Sequence, residues 1–277
     1  MNAITSTIRV EQIGNATLYL GDNRQVMPSL PGGCADMVFT SPPYNLGNTT
    51  GGGLPGKKLG HYSEAAALGK KRGGNGKWGG GKLADGYEAY DDAMPMSDYI
   101  AWQKATLAEC WRLLSDRGAI YYNHKVRVLD GIALTPLTYN PDLPLRQIII
   151  WARAGGVNFS PVAYLPTHEW IMVLAKPDFR LRDKAASGAG DVWYIPQEGN
   201  TEHPAPFPVA LPERAIETTA GGAVFDPFMG SGTTGVACAR LGRRFIGVEI
   251  DPGYFDIACR RIEQAQRQAD LFAEPGQ

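Results

Sequence analysis

The chain predicts an α/β fold, a mainly parallel sheet layered between helices. Three features carry this expectation. Seven short apolar runs, rich in β-branched or aromatic residues, have the pattern of strands. Two of them, residues 147–151 and 170–175, are apolar almost without a break, which marks strands covered on both faces. Helical patterns lie between many of the runs, and strand alternating with helix is the signature of a layered α/β domain.

In chain order the strands are expected at 17–20, 36–40, 119–123, 147–151, 170–175, 223–226 and 245–250. A helix at 98–114 takes Ser97 as its N-cap and aligns Ile100, Leu107, Trp111 and Leu114 on one face. A short helix of small apolar residues, 233–241, follows the sixth strand. Asp251-Pro252 has the form of an N-cap followed by a first helical residue, opening a last helix to about residue 268 with Phe255, Ala258, Ile262 and Ala265 inward. The 277 residues are 44% hydrophobic, enough to bury a sizeable core, and 1–277 is expected to be a single domain.

One stretch breaks the rhythm. Residues from about 46 to 90 are rich in glycine and lysine and poor in large apolar side chains, so they are expected to form a flexible insertion. Between 46 and 82 the seven bases Lys57, Lys58, Lys70, Lys71, Arg72, Lys77 and Lys82 face one acid, Glu64. This segment is therefore +6 within a chain of net charge −1, and the remainder sums to −7. A basic loop on an acidic body is compatible with contact to phosphates; its bland counterpart is a solvated linker.

Other classes are disfavoured. No apolar run approaches the ~20 residues that cross a bilayer, and the first residues lack the layout of a secretory signal. Cys34, Cys110, Cys238 and Cys259 form no CxxC pair, which suits reduced thiols in a cytoplasmic protein and neither a metal site nor a disulfide framework.

The first chemical motif is Thr40-Ser41-Pro42-Pro43-Tyr44-Asn45, directly after the strand at 36–40. Two prolines stiffen the backbone and remove two N–H donors. What remains is a row of acceptors, the Ser41 hydroxyl and the Ser41 and Pro42 carbonyls, beside the Tyr44 ring. Such a row suits the exocyclic amine of a nucleobase, a poor nucleophile because its lone pair is conjugated. Acceptors gripping its hydrogens pull the nitrogen toward tetrahedral geometry, and an electrophile held ~3–3.5 Å away completes the arrangement. A base inside a duplex cannot reach such a ledge and must be flipped out, with Tyr44 as a stacking surface. Alone, the motif is more often a plain turn.

The second motif, Asp226-Pro227-Phe228-Met229-Gly230-Ser231-Gly232-Thr233-Thr234, follows the strand at 223–226 and opens a helix. Gly230 and Gly232 permit a tight turn and close approach to a ligand, and the helix start offers free N–H groups to a carboxylate. A phosphate loop would need a lysine that this stretch lacks. The glycine pattern of a dinucleotide site is met literally by residues 230–235. Glu249 and Asp251, at the end of the next strand, are placed to bind ribose hydroxyls. These features specify an adenosine-containing ligand without deciding between a nicotinamide cofactor and a methyl donor.

Together, TSPPYN and DPFMGSGTT resemble the amino-methylating DNA methyltransferases. The catalytic motif comes first and the glycine motif near the C-terminus, as in their β-ordered, circularly permuted group. The resemblance runs over roughly residues 18–262, outside the insertion. It implies a Rossmann-like fold with a mixed seven-stranded sheet, helices on both faces and a reversed terminal hairpin. It also implies S-adenosyl-L-methionine as cofactor, no metal, and double-stranded DNA as partner.

By residue, the resemblance makes Ser41, Pro42, Pro43 and Tyr44 catalytic. It assigns Asp226, Phe228, Gly230, Ser231, Gly232, Thr233 and Glu249 to the cofactor. LYLGD at 18–22 adds Asp22 near the adenine, and TEHPAPFP at 201–208 adds His203, Phe207 and Pro208. THEWIMVLAKP at 167–177 resembles the hairpin lining the base pocket. Lys57, Lys58, Lys70, Lys71, Arg72 and Lys77 become the candidate DNA contacts. A homodimer and a cognate restriction endonuclease are further partners the family admits, in a bacterial or phage setting. The chain departs from the family in having only a short connection, 177–191, where a target-recognition region is usual.

Serine at the head of the four-residue motif resembles the N4-cytosine enzymes more than the N6-adenine enzymes, which more often carry Asp or Asn. Three rivals remain at this level. They are an NAD-dependent oxidoreductase, an RNA or protein amine methyltransferase, and a non-enzymatic DNA-binding module.

Overall fold

A computed structural model of the chain describes residues 8–45, 94–129, 131–153, 164–197 and 207–272. Its centre is one mixed sheet. The strands are β1 (Arg9–Ile13), β2 (Ala16–Leu20), β3 (Ala35–Thr40), β4 (Leu114–His124), β7 (Leu145–Ala152), β8 (His168–Ala175), β9 (Val192–Tyr194), β10 (Ala223–Asp226) and β11 (Arg244–Glu249). A separate small hairpin joins β5 (Arg127–Leu129) to β6 (Ile132–Leu134).

Among the described residues the sheet has nine strands, in the order β1-β2-β11-β10-β3-β4-β8-β7-β9, where seven were expected. The seven expected strands are contiguous in that order; the two extra ones are the edges. β1 is RVEQI, charged and mostly exposed, and β9 has only three residues. Short or charged edges protect a sheet from further pairing, and the same properties remove the apolar signal by which strands are read.

Five central strands, β2, β11, β10, β3 and β4, run parallel. β8 is antiparallel to both β4 and β7, so the sheet carries the reversed hairpin that the resemblance implied. Helices α1 (Asn23–Val26), α2 (Met96–Leu113), α3 (Lys184–Gly188), α4 (Ala210–Glu217), α5 (Thr233–Arg240) and α6 (Pro252–Phe272) complete the described elements with two 3-10 turns.

Alternating strand residues feed two cores. Met37, Phe39, Ala119 and Tyr121 pack with residues of α4, α5 and α6. Val38, Ile120, Tyr122 and Phe225 pack with residues of α1 and α2 on the other face. Period-2 alternation with both faces buried is why these strands are apolar nearly throughout.

The last helix follows expectation. Asp251 Oδ1 accepts from the Tyr254 amide at 2.9 Å, and Phe255, Ala258, Ile262 and Ala265 are buried. The first long helix corrects it. α2 begins at Met96 after Pro95, whose carbonyl accepts from the Asp98 and Tyr99 amides, so Ser97 lies inside the first turn and is not the cap. The buried stripe is Tyr99, Gln103, Thr106, Leu107, Cys110 and Leu113; Ile100 and Trp111 flank it. Buried polar residues at 103 and 106 conceal that stripe from any reading based on apolar spacing.

From β3 the chain moves through α2 to β4 on one side. From β10 it moves through α5 to β11 on the other. β3 and β10 are neighbours, with Met37 opposite Val224 and Val38 opposite Phe225. Strand order therefore reverses between them, and the crevice beyond their C-terminal ends is where open α/β sheets bind ligands.

Candidate active site

Both motifs meet in that crevice. A cavity of about 260 Å³ lies there, bounded on one side by residues 41–44 and on the other by the loop from Pro227 to Ser231. Ser41, Pro42, Pro43, Tyr44, Asp22, Phe228, Gly230, Ser231, Thr233 and Glu249 all line it, and so does Phe207.

Three expected ligand residues, Pro208, Asp226 and Gly232, are not among those that line it. Asp226 is 1% exposed. Its Oδ1 accepts from the Thr40 hydroxyl at 2.7 Å and the Phe228 amide at 3.1 Å, and its Oδ2 accepts from the Thr234 hydroxyl at 2.8 Å. It joins β3, β10 and α5 below the cavity. Burial still pushes its carboxyl up to about 6, against the pull of those three donors. Gly232 has φ of 81°, and a Cβ there would come within 2.9 Å of the Ala258 Cβ. Its role is a left-handed turn and close passage against α6. His203 and the six expected DNA contacts, Lys57, Lys58, Lys70, Lys71, Arg72 and Lys77, lie outside the described residues.

The glycine loop is held from three sides. Asn23 Nδ2 donates to the Pro227 carbonyl at 3.2 Å. Arg261 Nη1 donates to the Ser231 carbonyl at 2.7 Å and hydroxyl at 2.8 Å. Trp102 meets the Phe228 ring edge to face, centroids 5.3 Å apart.

At the end of β2 Asp22 caps α1 through the Arg24 amide at 2.9 Å, and Arg24 Nη2 pairs with its carboxylate at 2.6 Å. Glu249 accepts from the Gly230 amide through Oε2 and the Asp251 amide through Oε1, both at 2.8 Å.

Burial pushes the Glu249 carboxyl from 4.5 up to about 7, although the two amides favour the anion. The folded state thus holds this proton more tightly than the unfolded chain. Its contribution to stability falls as pH rises from about 4.5 to about 7. Glu249→Gln removes the titration. The unfolding free energy of the variant relative to the parent should therefore rise by about 1–3 kcal/mol between pH 4.5 and 7.5 in urea titrations. A difference that does not change with pH contradicts this.

The ledge is fixed with equal care. The Tyr99 hydroxyl lies 2.7 Å from the Pro43 carbonyl and 3.0 Å from His124 Nε2. His124 Nδ1 donates to the Lys125 carbonyl at 2.7 Å. Burial drives that imidazole down to about 3, so it is neutral. The Tyr44 carbonyl accepts from Arg127 at 3.0 Å, and Asn45, at φ 51°, donates to the Met94 carbonyl at 2.8 Å.

The edge of one ring meets the face of the other between Tyr44 and His124, at 4.9 Å, and the Lys125 ammonium lies over the Tyr44 ring at 4.7 Å. The Tyr44 hydroxyl is 3.0 Å from Ser41 Oγ and donates to Glu169 Oε2 at 3.0 Å. Sequence reading singled out none of Asn23, Trp102, Arg261, Tyr99, His124 or Glu169. Glu169 falls within the THEWIMVLAKP stretch; the others carried no usable signal.

Among the described residues, no cluster of His, Cys, Asp or Glu could hold a metal ion, and no helix is long and apolar enough to cross a membrane. All four cysteines are free thiols.

Comparison with known proteins identifies the family. The chain is 24% identical to the Type II methyltransferase M.ScaI of Streptomyces caespitosus, an alignment covering 91% of this chain and 83% of that one. Among solved structures it resembles the DNA modification methylase TTHA0409 of Thermus thermophilus in complex with S-adenosyl-L-methionine. That match has a TM-score of 0.57 and 25% identity, over 90% of this chain and 93% of the other. The fold also matches the PvuII DNA methyltransferase (cytosine-N4-specific), with a TM-score of 0.64 and 17% identity over 94% and 93% of the two chains. The N6_N4_Mtase family model, DNA methylase, matches residues 35–260, from β3 to the middle of α6, and thereby takes in both walls of the cavity. The chain belongs to this family of DNA methylases.

Proposed function

We propose that the protein methylates the N4 amine of cytosine in double-stranded DNA. One observation carries the reading: Ser41–Tyr44 line a single cavity together with Gly230, Ser231 and Thr233.

The chemistry of this cavity fits S-adenosyl-L-methionine. Phe228, Val248 and Tyr254 give apolar walls for a flat adenine. Glu249 lies at the end of β11 to accept from ribose hydroxyls. Backbone amides at the start of α5 suit a carboxylate. Once bound, the cofactor supplies a sulfonium methyl, whose C–S bond breaks as the new N–C bond forms, the electron pair staying on sulfur.

The chain's own residues do the rest. The Ser41 hydroxyl and the Pro42 carbonyl accept the two N–H bonds of the amine and free its lone pair. The Tyr44 ring is the stacking surface for the flipped base. The proton that nitrogen then sheds is one already bonded to the ledge, and it passes to water. The rigid anchoring of residues 41–45 is itself catalytic, because positioning supplies most of the rate when no covalent intermediate forms.

Serine at position 41 favours cytosine. N6-adenine methylation is the second reading, since the same acceptors suit an adenine amine. Asp22 is assigned to the adenine of the cofactor and His203 to the methionine side. Lys57, Lys58, Lys70, Lys71, Arg72 and Lys77 are assigned to DNA phosphates. The order of the two motifs supports the circularly permuted arrangement, and a restriction endonuclease partner and a homodimer belong to the same proposal.

Incubation with tritiated S-adenosyl-L-methionine and a mixture of duplex DNA and RNA, followed by nucleoside analysis, tests it. Label in N4-methylcytosine is expected. Label in N6-methyladenine overturns the choice of base, and label in RNA alone overturns the substrate.

A further inference from the structure

Glu169 lies at the head of β8, far from either motif in sequence, yet it touches the ledge. The reversal of β8 explains how. A strand parallel to β4 would have its first residues at the opposite end of the sheet. Because β8 runs antiparallel, Trp170 pairs with His124 at the C-terminal end of β4, so the preceding Glu169 reaches the crevice. Its side chain is 6% exposed, with Oε1 3.7 Å from Arg153 Nη1 and Oε2 3.0 Å from the Tyr44 hydroxyl.

We propose that Glu169 is a positioning residue for methyl transfer, acting through Tyr44 to fix the Ser41 hydroxyl as an acceptor. This rests on the reading of Ser41 as a grip on the amine.

Proton counting gives the direction. A carboxylate only accepts, so the Tyr44 proton points to Glu169. The Tyr44 oxygen is then the acceptor for Ser41, 3.0 Å away. Ser41 therefore directs its own proton to Tyr44, and the lone pairs of its oxygen stay available to the cavity.

Without this chain a serine hydroxyl is ambiguous. It could turn its proton toward the substrate and oppose an amine N–H with an O–H. An aspartate in the same place would need no such control, because it has no proton to misdirect. The buried carboxylate at 169 thus gives a neutral serine the one-way character of an acceptor. No proton has to move along the chain for this to work.

The test is a double-mutant cycle on the full-length protein with Tyr44→Phe, Glu169→Gln and the pair, measured as single-turnover methylation of duplex DNA. Tyr44→Phe keeps the ring and removes the link; Glu169→Gln keeps the shape and removes the charge. Each should lower the single-turnover rate by about 10–100-fold, with cofactor and DNA dissociation constants within about twofold of the parent. The double variant should be no slower than the worse single one within about threefold, because both break the same chain.

Parental rates in Tyr44→Phe, or deficits that multiply in the double variant, overturn the proposal. Should Glu169→Gln fail to fold, Tyr44→Phe decides alone, since it leaves the Glu169–Arg153 pair in place. A parent protein that transfers no methyl to DNA would instead overturn the functional reading, and this is seen before any variant is compared.

Discussion

Tyr44→Ala is expected to lower the rate of methyl transfer by about a thousandfold or more while S-adenosyl-L-methionine binds with nearly unchanged affinity. Two losses combine. The first is the stacking face for the flipped base, worth about 1–3 kcal/mol per base on an aromatic platform. The second is the hydroxyl that joins Ser41 to Glu169 and holds the ledge in place. Misplacing a reacting group by about 1 Å costs about a hundredfold. The side chain lines the same cavity as the loop from Pro227 to Ser231, but its hydrogen bonds and ring contacts named above are to Ser41, Glu169, His124 and Lys125 and not to that loop. Cofactor titration by calorimetry and single-turnover assays on one preparation separate the two functions. Loss of cofactor affinity as the main defect would contradict the assignment.

Asp226→Ala is the second large effect, and it acts on the frame. The carboxylate satisfies two hydroxyls and one amide, from Thr40, Thr234 and Phe228. Its removal leaves them without an acceptor in a site that is 1% exposed. Unsatisfied buried donors cost about 1–3 kcal/mol each, partly recovered as hydroxyls rotate, so a net loss of about 2–4 kcal/mol is expected in urea unfolding. Cofactor affinity should fall by at least about tenfold, because the loop to Ser231 starts from this anchor. Asp226→Asn keeps the shape and should cost less. Unchanged stability and cofactor binding would contradict the role of Asp226 as the anchor of this loop.

The sequence was informative where local chemistry decides structure. β3, β4, β8 and β10 could be read because both their faces are buried, which makes their residues apolar nearly throughout. β7, expected to be covered on both faces at 147–151, is buried only at alternate positions and was read from its β-branched and aromatic residues. The edges β1 and β9 could not be read, since exposure and shortness select against such a pattern. Asp251-Pro252 predicted the start of α6 because capping is a local event. The buried face of α2 departs from the expected Ile100, Leu107, Trp111 and Leu114 because two polar residues, Gln103 and Thr106, belong to it.

The two walls of the cavity were legible through their punctuation, paired prolines on one and paired glycines on the other. Their supports were not. Asn23 reaches Pro227, Arg261 reaches Ser231 and Glu169 reaches Tyr44 only after the sheet has formed. Asp226 shows the same limit in reverse: its motif marked it for the ligand, while its three hydrogen bonds turn it inward.

A crystal structure with S-adenosyl-L-methionine bound tests the picture of two walls serving one reaction. The methionine end should lie along Gly230–Thr233 with the sulfonium methyl aimed across the cavity at Ser41 and Pro42. A methyl directed away from residues 41–44, or a cofactor seated outside this crevice, would contradict it.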